Sequence, residues 1–175
     1  KVTQKNITHA IAPVWEANHM WLILMVVILF VGFPLIYAQM SLYLHIPLLV
    51  LLVGIILRGT AFTFRHYDAV IDKSQDHYTF IFKLSSVIAP LFLGVITGAM
   101  ILGNINPSPA SFYEGFIDPW LNSFCFMLGI FTCCLFAFLA AVYLIGEAES
   151  ILIRNRFLKF ARNANIATVL SGGLV

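Results

Sequence analysis

Pro13-Val14-Trp15-Glu16-Ala17-Asn18-His19-Met20-Trp21 leads straight into the apolar run Leu22 to Ala38, and this junction decides the fold. About 20 helical residues cross a hydrocarbon core of ~30 Å, so the stretch reads as a transmembrane helix entered through a polar, aromatic collar. A carboxylate, an amide, an imidazole and two indoles fall within the seven residues from Trp15 to Trp21. An ionisable group at a bilayer surface loses hydration and must find a partner, a file of water or a proton. On a helix Glu16 and His19 are three apart and share a face, with Trp15 and Asn18 on the neighbouring stripe. The indoles suit an interfacial belt in which long polar side chains snorkel to water. Glu16, with its short stem, fits that belt poorly.

Working outward, the composition excludes a soluble domain. Hydrophobic residues make up 61% and charged residues 10% of the 175, with a mean hydropathy of +0.93; such a chain cannot cover its apolar surface in water. A net charge of +2 gives no footing for nucleic acid. Cys125, Cys133 and Cys134 all lie inside one apolar run and lack CxxC spacing, which points to apolar packing.

The hydropathy pattern predicts an all-α integral membrane protein, a polytopic helix bundle forming one transmembrane region over 1–175. Complete spans are expected at about 14–38, 46–64, 79–102 and 120–145, and a truncated fifth at 166–175. Gly32 and Pro34 are read as tolerated within the first span. Gly94 and Gly98 form a small-xxx-small pair that favours close helix contact. Glu147 to Asn165, with Arg154, Arg156, Lys159 and Arg162, reads as an amphipathic surface helix. Gly103 to Pro119 reads as an irregular external loop. The chain starts without Met and stops partway into an apolar run, so it is expected to be a piece of a longer membrane protein.

Charge sets the orientation. Lys1, Lys5, Arg65, Lys73, Lys83, Arg154, Arg156, Lys159 and Arg162 fall on one side of a four-span bundle, and the loops on the other side hold no Lys or Arg. The positive-inside rule makes the basic side cytoplasmic. Arg58, about two turns inside Arg65, either snorkels outward or pairs with a carboxylate on another helix. Glu16–Arg58 and Glu16–Arg65 pairings are both open to this topology.

These residues carry a resemblance to subunit II of cytochrome bd-type quinol oxidases. The Pro13 to Leu22 block, followed by Phe33-Pro34 and Tyr37-Ala38, is similar to the family's P-x-W-D/E-x-N-x-x-W-L…FP…YA pattern. Leu57-Arg58-Gly59, Ala61-Phe62 and Phe64-Arg65 resemble its LR-G-x-x-F-x-[FY]-R helix end. Gly94 to Asn104 resembles its G-x-x-x-G…GN segment, and Asp118-Pro119 and Gly146-Glu147 fall where the family has N-P and G-E. The resemblance covers essentially the whole chain, as about the N-terminal half of a family member without its first transmembrane helix.

The resemblance implies a heterodimer in the bacterial or archaeal cytoplasmic membrane whose partner, subunit I, binds quinol and carries haem b and haem d. It leaves open a small accessory subunit besides membrane lipid. Subunit II would supply no haem ligand, making His9, His19, His45, His66 and His77 non-ligands. Glu16 falls on the family's Asp/Glu position, implicated in bringing cytoplasmic protons toward the oxygen-reducing haem. His19, the second candidate for that route, stands where Glu or Gln is common, a departure from the pattern. Trp15, Asn18, Trp21, Arg58 and Arg65 complete the motif and interface residues. Reading the residues alone keeps two other classes in view, a secondary-transporter fragment and a non-catalytic membrane scaffold or assembly protein. It also leaves Glu16 open as a permanently ionised partner of an arginine.

Overall fold

The computed structural model describes residues 17–18, 20–67, 74–148 and 150–175, with the backbone alone for 65–67 and 74–76. The described residues form helices only: α1 (Met20–Gly32), α2 (Pro34–Tyr43), α3 (His45–Tyr67), α4 (Ser74–Leu102), the single turn α5 (Phe112–Phe116), α6 (Ser123–Gly146) and α7 (Ile151–Gly172). Three segments, His45–Phe64, His77–Leu102 and Ser123–Gly146, are long and apolar enough to cross a membrane. At 1.5 Å per residue they reach about 30–39 Å. The bent pair α1–α2 makes a fourth if it crosses as one broken span. The chain is therefore an all-α polytopic membrane protein, as its hydropathy predicts.

Two departures from the sequence reading bear most on the fold. Where a continuous helix is expected over 14–38, α1 and α2 meet at Phe33 with a bend of 113°. Pro34 has no N–H to return to the Phe30 carbonyl, and its ring crowds that carbonyl, so it starts a new helix instead of continuing the old one. The break is bridged by Phe33 N–H donating to Leu29 O and Tyr37 N–H donating to Phe33 O, both at 3.0 Å. Phe30 and Tyr37 brace it edge to face, with ring centroids 5.2 Å apart. The second difference is α7, which runs unbroken through the boundary expected at 166. No Pro or Gly interrupts Asn163 to Leu170, and α7 is not among the helices apolar enough to cross a membrane.

Two compact units divide the chain. One draws on the described residues up to Met40 and on Cys134–Leu170; the other comprises Ser41–Cys133 and Ser171–Val175. In the first, α7 turns one stripe inward: Ile153 and Ala161 are buried and Phe157, Ala164 and Thr168 half-buried. The steps of three and four make this a single helical face.

In the second unit α4 is the central helix. Gly94 and Gly98 face α6 so closely that side chains have no room. A Cβ on Gly94 would lie 2.6 Å from Gly129 Cα and 2.7 Å from Leu128 O; one on Gly98 would lie 2.9 Å from Cys125 Cα. From the other side, a Cβ on Gly129 would lie 2.8 Å from Leu91 O. The small-xxx-small pair is thus the α4–α6 contact, where backbone approach replaces side-chain interdigitation. Val95, Ala99 and Cys125 beside it are fully buried. Thr132, at the seam, donates to the Leu128 carbonyl at 2.8 Å, so its hydroxyl is satisfied.

Candidate functional site

Arg58 is a half-buried cation inside a membrane-crossing segment, six residues before Phe64 and so about 9 Å along the helix; Lys83 stands equally far inside His77–Leu102 but is exposed. Its surroundings follow from how α3 packs on α4. The helices run antiparallel, with Gly54 against Ala89, Phe62 against Phe82 and Phe64 stacked on Tyr78 at 5.8 Å. Gly54 and the buried Ala61 keep the backbones close.

That register sets position 58 level with Ser85 and Ser86, yet the guanidinium lies over the Phe82 ring, Cζ 5.6 Å from its centroid. The side chain therefore leans along the helix toward the Arg65 end, the direction of snorkelling. Ser85 and Ser86 do not compete for it, since both hydroxyls donate to the Phe82 carbonyl, at 3.1 and 2.6 Å. Arg58 Nε is buried and has no hydrogen-bond partner among the described residues. A ring face contributes about 0.5–2 kcal/mol to a cation. The guanidinium carries five donors, and the ring accepts none of them as an ionised carboxylate would.

Other predicted site residues are less informative. Trp15, Glu16 and His19 lie outside the described residues. Asn18 and Trp21 occupy exposed helical positions, Trp21 at 69%. Arg65 is described only as backbone within α3. Among the described residues no cluster of three or more His, Cys, Asp or Glu is placed to hold a metal ion. His45 is exposed, and its Nδ1 donates to the Leu42 carbonyl at 2.8 Å.

The sequence reading missed an ordered polar cap on the loop between α4 and α6. Glu114 accepts from Asn106 Nδ2 at 2.9 Å through one carboxylate oxygen and from the Ala110 N–H at 3.0 Å through the other. Ser111 caps α5 by accepting from the Glu114 N–H, and Asn106 Oδ1 accepts from the Ser108 N–H. Tyr43 donates to Pro107 O and stacks on Phe116, whose carbonyl accepts from Trp120 Nε1 at 2.7 Å. The readable signal was Ser111-x-x-Glu114, a capping-box spacing. Glu114 departs from that motif by reaching back to Ala110 and Asn106.

A polytopic helical membrane protein, with a glycine seam for tight packing and a half-buried arginine within one span, is the class these features define. The sequence profile of cytochrome bd terminal oxidase subunit II matches residues 1–175, and the chain belongs to that family. It is 32% identical over 107 residues to cytochrome bd ubiquinol oxidase subunit 2 of Bacillus subtilis (strain 168), covering 59% of this chain and 30% of that protein. To cytochrome bd-I ubiquinol oxidase subunit 2 of Escherichia coli (strain K12) it is 25% identical over 127 residues, covering 70% and 33%. The chain spans about a third of the length of these curated relatives.

Proposed function

We propose that this chain is part of the haem-free membrane subunit of a terminal oxidase that oxidises quinol and reduces dioxygen to water. It supports a haem-bearing subunit I in a bacterial or archaeal cytoplasmic membrane, with its basic ends cytoplasmic. The observation that carries this reading is the family match over every residue of the chain, beside relatives named as ubiquinol oxidase subunits. Haem b and haem d on subunit I would supply the electron transfer and the oxygen chemistry.

What this chain adds is a proton route and a surface to assemble on. Reduction of dioxygen to water consumes one proton per electron, and a buried site obtains them only along a titratable path. Glu16 is the entry to that path in this reading, with His19 on the same helical face. A partly desolvated carboxylate at such a mouth can take up and release protons at working pH.

Purification of the full-length parent from native membranes tests the reading. It should bring along a second chain carrying haem, and the complex should consume oxygen when given quinol. Recovery of a haem-free homo-oligomer with transport activity would overturn it.

A further inference from the structure

We infer that the outward face of α7 is a docking site for the headgroup of an anionic phospholipid, built from Leu152, Asn155, Arg156 and Lys159. The helix carries Arg154, Arg156, Lys159 and Arg162 and no acidic residue. Its inward stripe, with Ile153 and Ala161 buried and Phe157, Ala164 and Thr168 half-buried, fixes which way the rest of the helix looks. At 100° per residue, Leu152, Asn155, Arg156 and Lys159 fall within a sector of about 100° on the flank away from that stripe. All four are exposed. Together they line, among the described residues, a shallow cavity of about 210 Å³.

The chemistry of this sector selects the ligand. Arg156 and Lys159 lie one turn apart, close enough for both to reach one phosphate, and Asn155 adds an amide donor. Leu152, one turn before Arg156, gives the same sector an apolar end. Ile151, Leu158 and Phe160 are also exposed beside the cations. Cations interleaved with bare apolar side chains match a boundary where phosphates lie above acyl chains, and suit bulk water poorly. The position in the chain agrees, because α7 begins five residues after Gly146, the last residue of the membrane-crossing α6. A phospholipid satisfies both ends of the sector, whereas a free phosphate satisfies only the cationic one.

The test uses the full-length chain in its native complex, purified in neutral detergent and depleted of lipid. Phosphatidylglycerol or phosphatidylcholine is returned in mixed micelles, and retained phospholipid per complex and Tm are measured. Phosphatidylglycerol should be retained and raise Tm; phosphatidylcholine should do neither. Arg156→Gln with Lys159→Gln should weaken phosphatidylglycerol retention about 30-fold, the loss expected for two interfacial cations. Arg154→Gln, on the other flank, should leave retention as in wild type. If the double variant does not assemble, Lys159→Gln alone is read, with about a fivefold loss expected. Equal retention in the Gln variants would overturn the proposal, as would equal retention of phosphatidylcholine. So would displacement of the lipid by millimolar inorganic phosphate, which would mark a free-anion site, or retention lost only when a partner protein is stripped away.

Discussion

Gly94→Leu is expected to separate α4 from α6 and to abolish most of the folded subunit recovered from membranes. The atoms that would meet a Cβ at this position are largely backbone, Gly129 Cα at 2.6 Å and Leu128 O at 2.7 Å, and backbone cannot rotate out of the way. Overpacking a core costs typically about 1–3 kcal/mol when side chains can shift. Here whole helices must move, so the cost should reach about 3 kcal/mol or more, comparable with a large part of a marginal stability. Even Gly94→Ala should be damaging. Gly54→Ala is the control, because its Cβ would sit at an ordinary 3.4 Å from the Ala89 side chain. Thermal melting of the purified complex should place Gly54→Ala within a few degrees of wild type and both Gly94 variants well below it. Equal melting of Gly94→Leu and wild type would show that the glycine seam does not hold the helices.

Arg58→Gln carries the second large effect. A cation near a helix centre costs about 2.5–3.5 kcal/mol on insertion scales and less toward the interface, and the Phe82 ring offsets only part of that. A carboxylate partner supplied from elsewhere in the assembly would complete the offset. Removing Arg58 then strands the partner's negative charge, at a cost of about 3–5 kcal/mol for a well-buried pair. Complex yield and haem per complex should fall together in Arg58→Gln and Arg58→Leu. An arginine that merely snorkels past Phe82 would tolerate both Lys and Gln. Unchanged yield and turnover in Arg58→Gln would reject the pairing.

Most of the helices were legible because length and hydropathy act locally: α3, α4 and α6 are runs whose composition permits little besides a membrane helix. The α1–α2 bend was less so. Pro34 is visible in the sequence, but a proline inside a span can be absorbed as a mild kink when neighbours rescue the backbone. Whether it instead starts a new helix depends on the packing around it. The glycine seam was half legible, since Gly94 and Gly98 form a motif while Gly129, equally tight, has no glycine four residues away. Glu114 showed least. Its spacing from Ser111 announces a cap, but its bonds to Asn106 and Ala110 depend on how the loop folds over Tyr43 and Phe116. Arg58 was recognisable as a charge within a span, but not its lean over Phe82, which is set by the α3–α4 register.

The proton route is tested most directly by turnover per haem in Glu16→Gln, measured across pH as quinol-driven oxygen consumption of the purified complex. Gln keeps the size and hydrogen-bonding capacity of Glu but cannot cycle a proton. Haem content and spectrum should match wild type, while turnover falls by ~10²-fold, the lower end of what a positioned proton-transferring group contributes. Glu16→Asp should retain much of the activity, since only reach changes. A parallel loss of haem would instead identify Glu16 as a structural ion-pair partner, and turnover per haem equal to wild type at every pH would contradict the route.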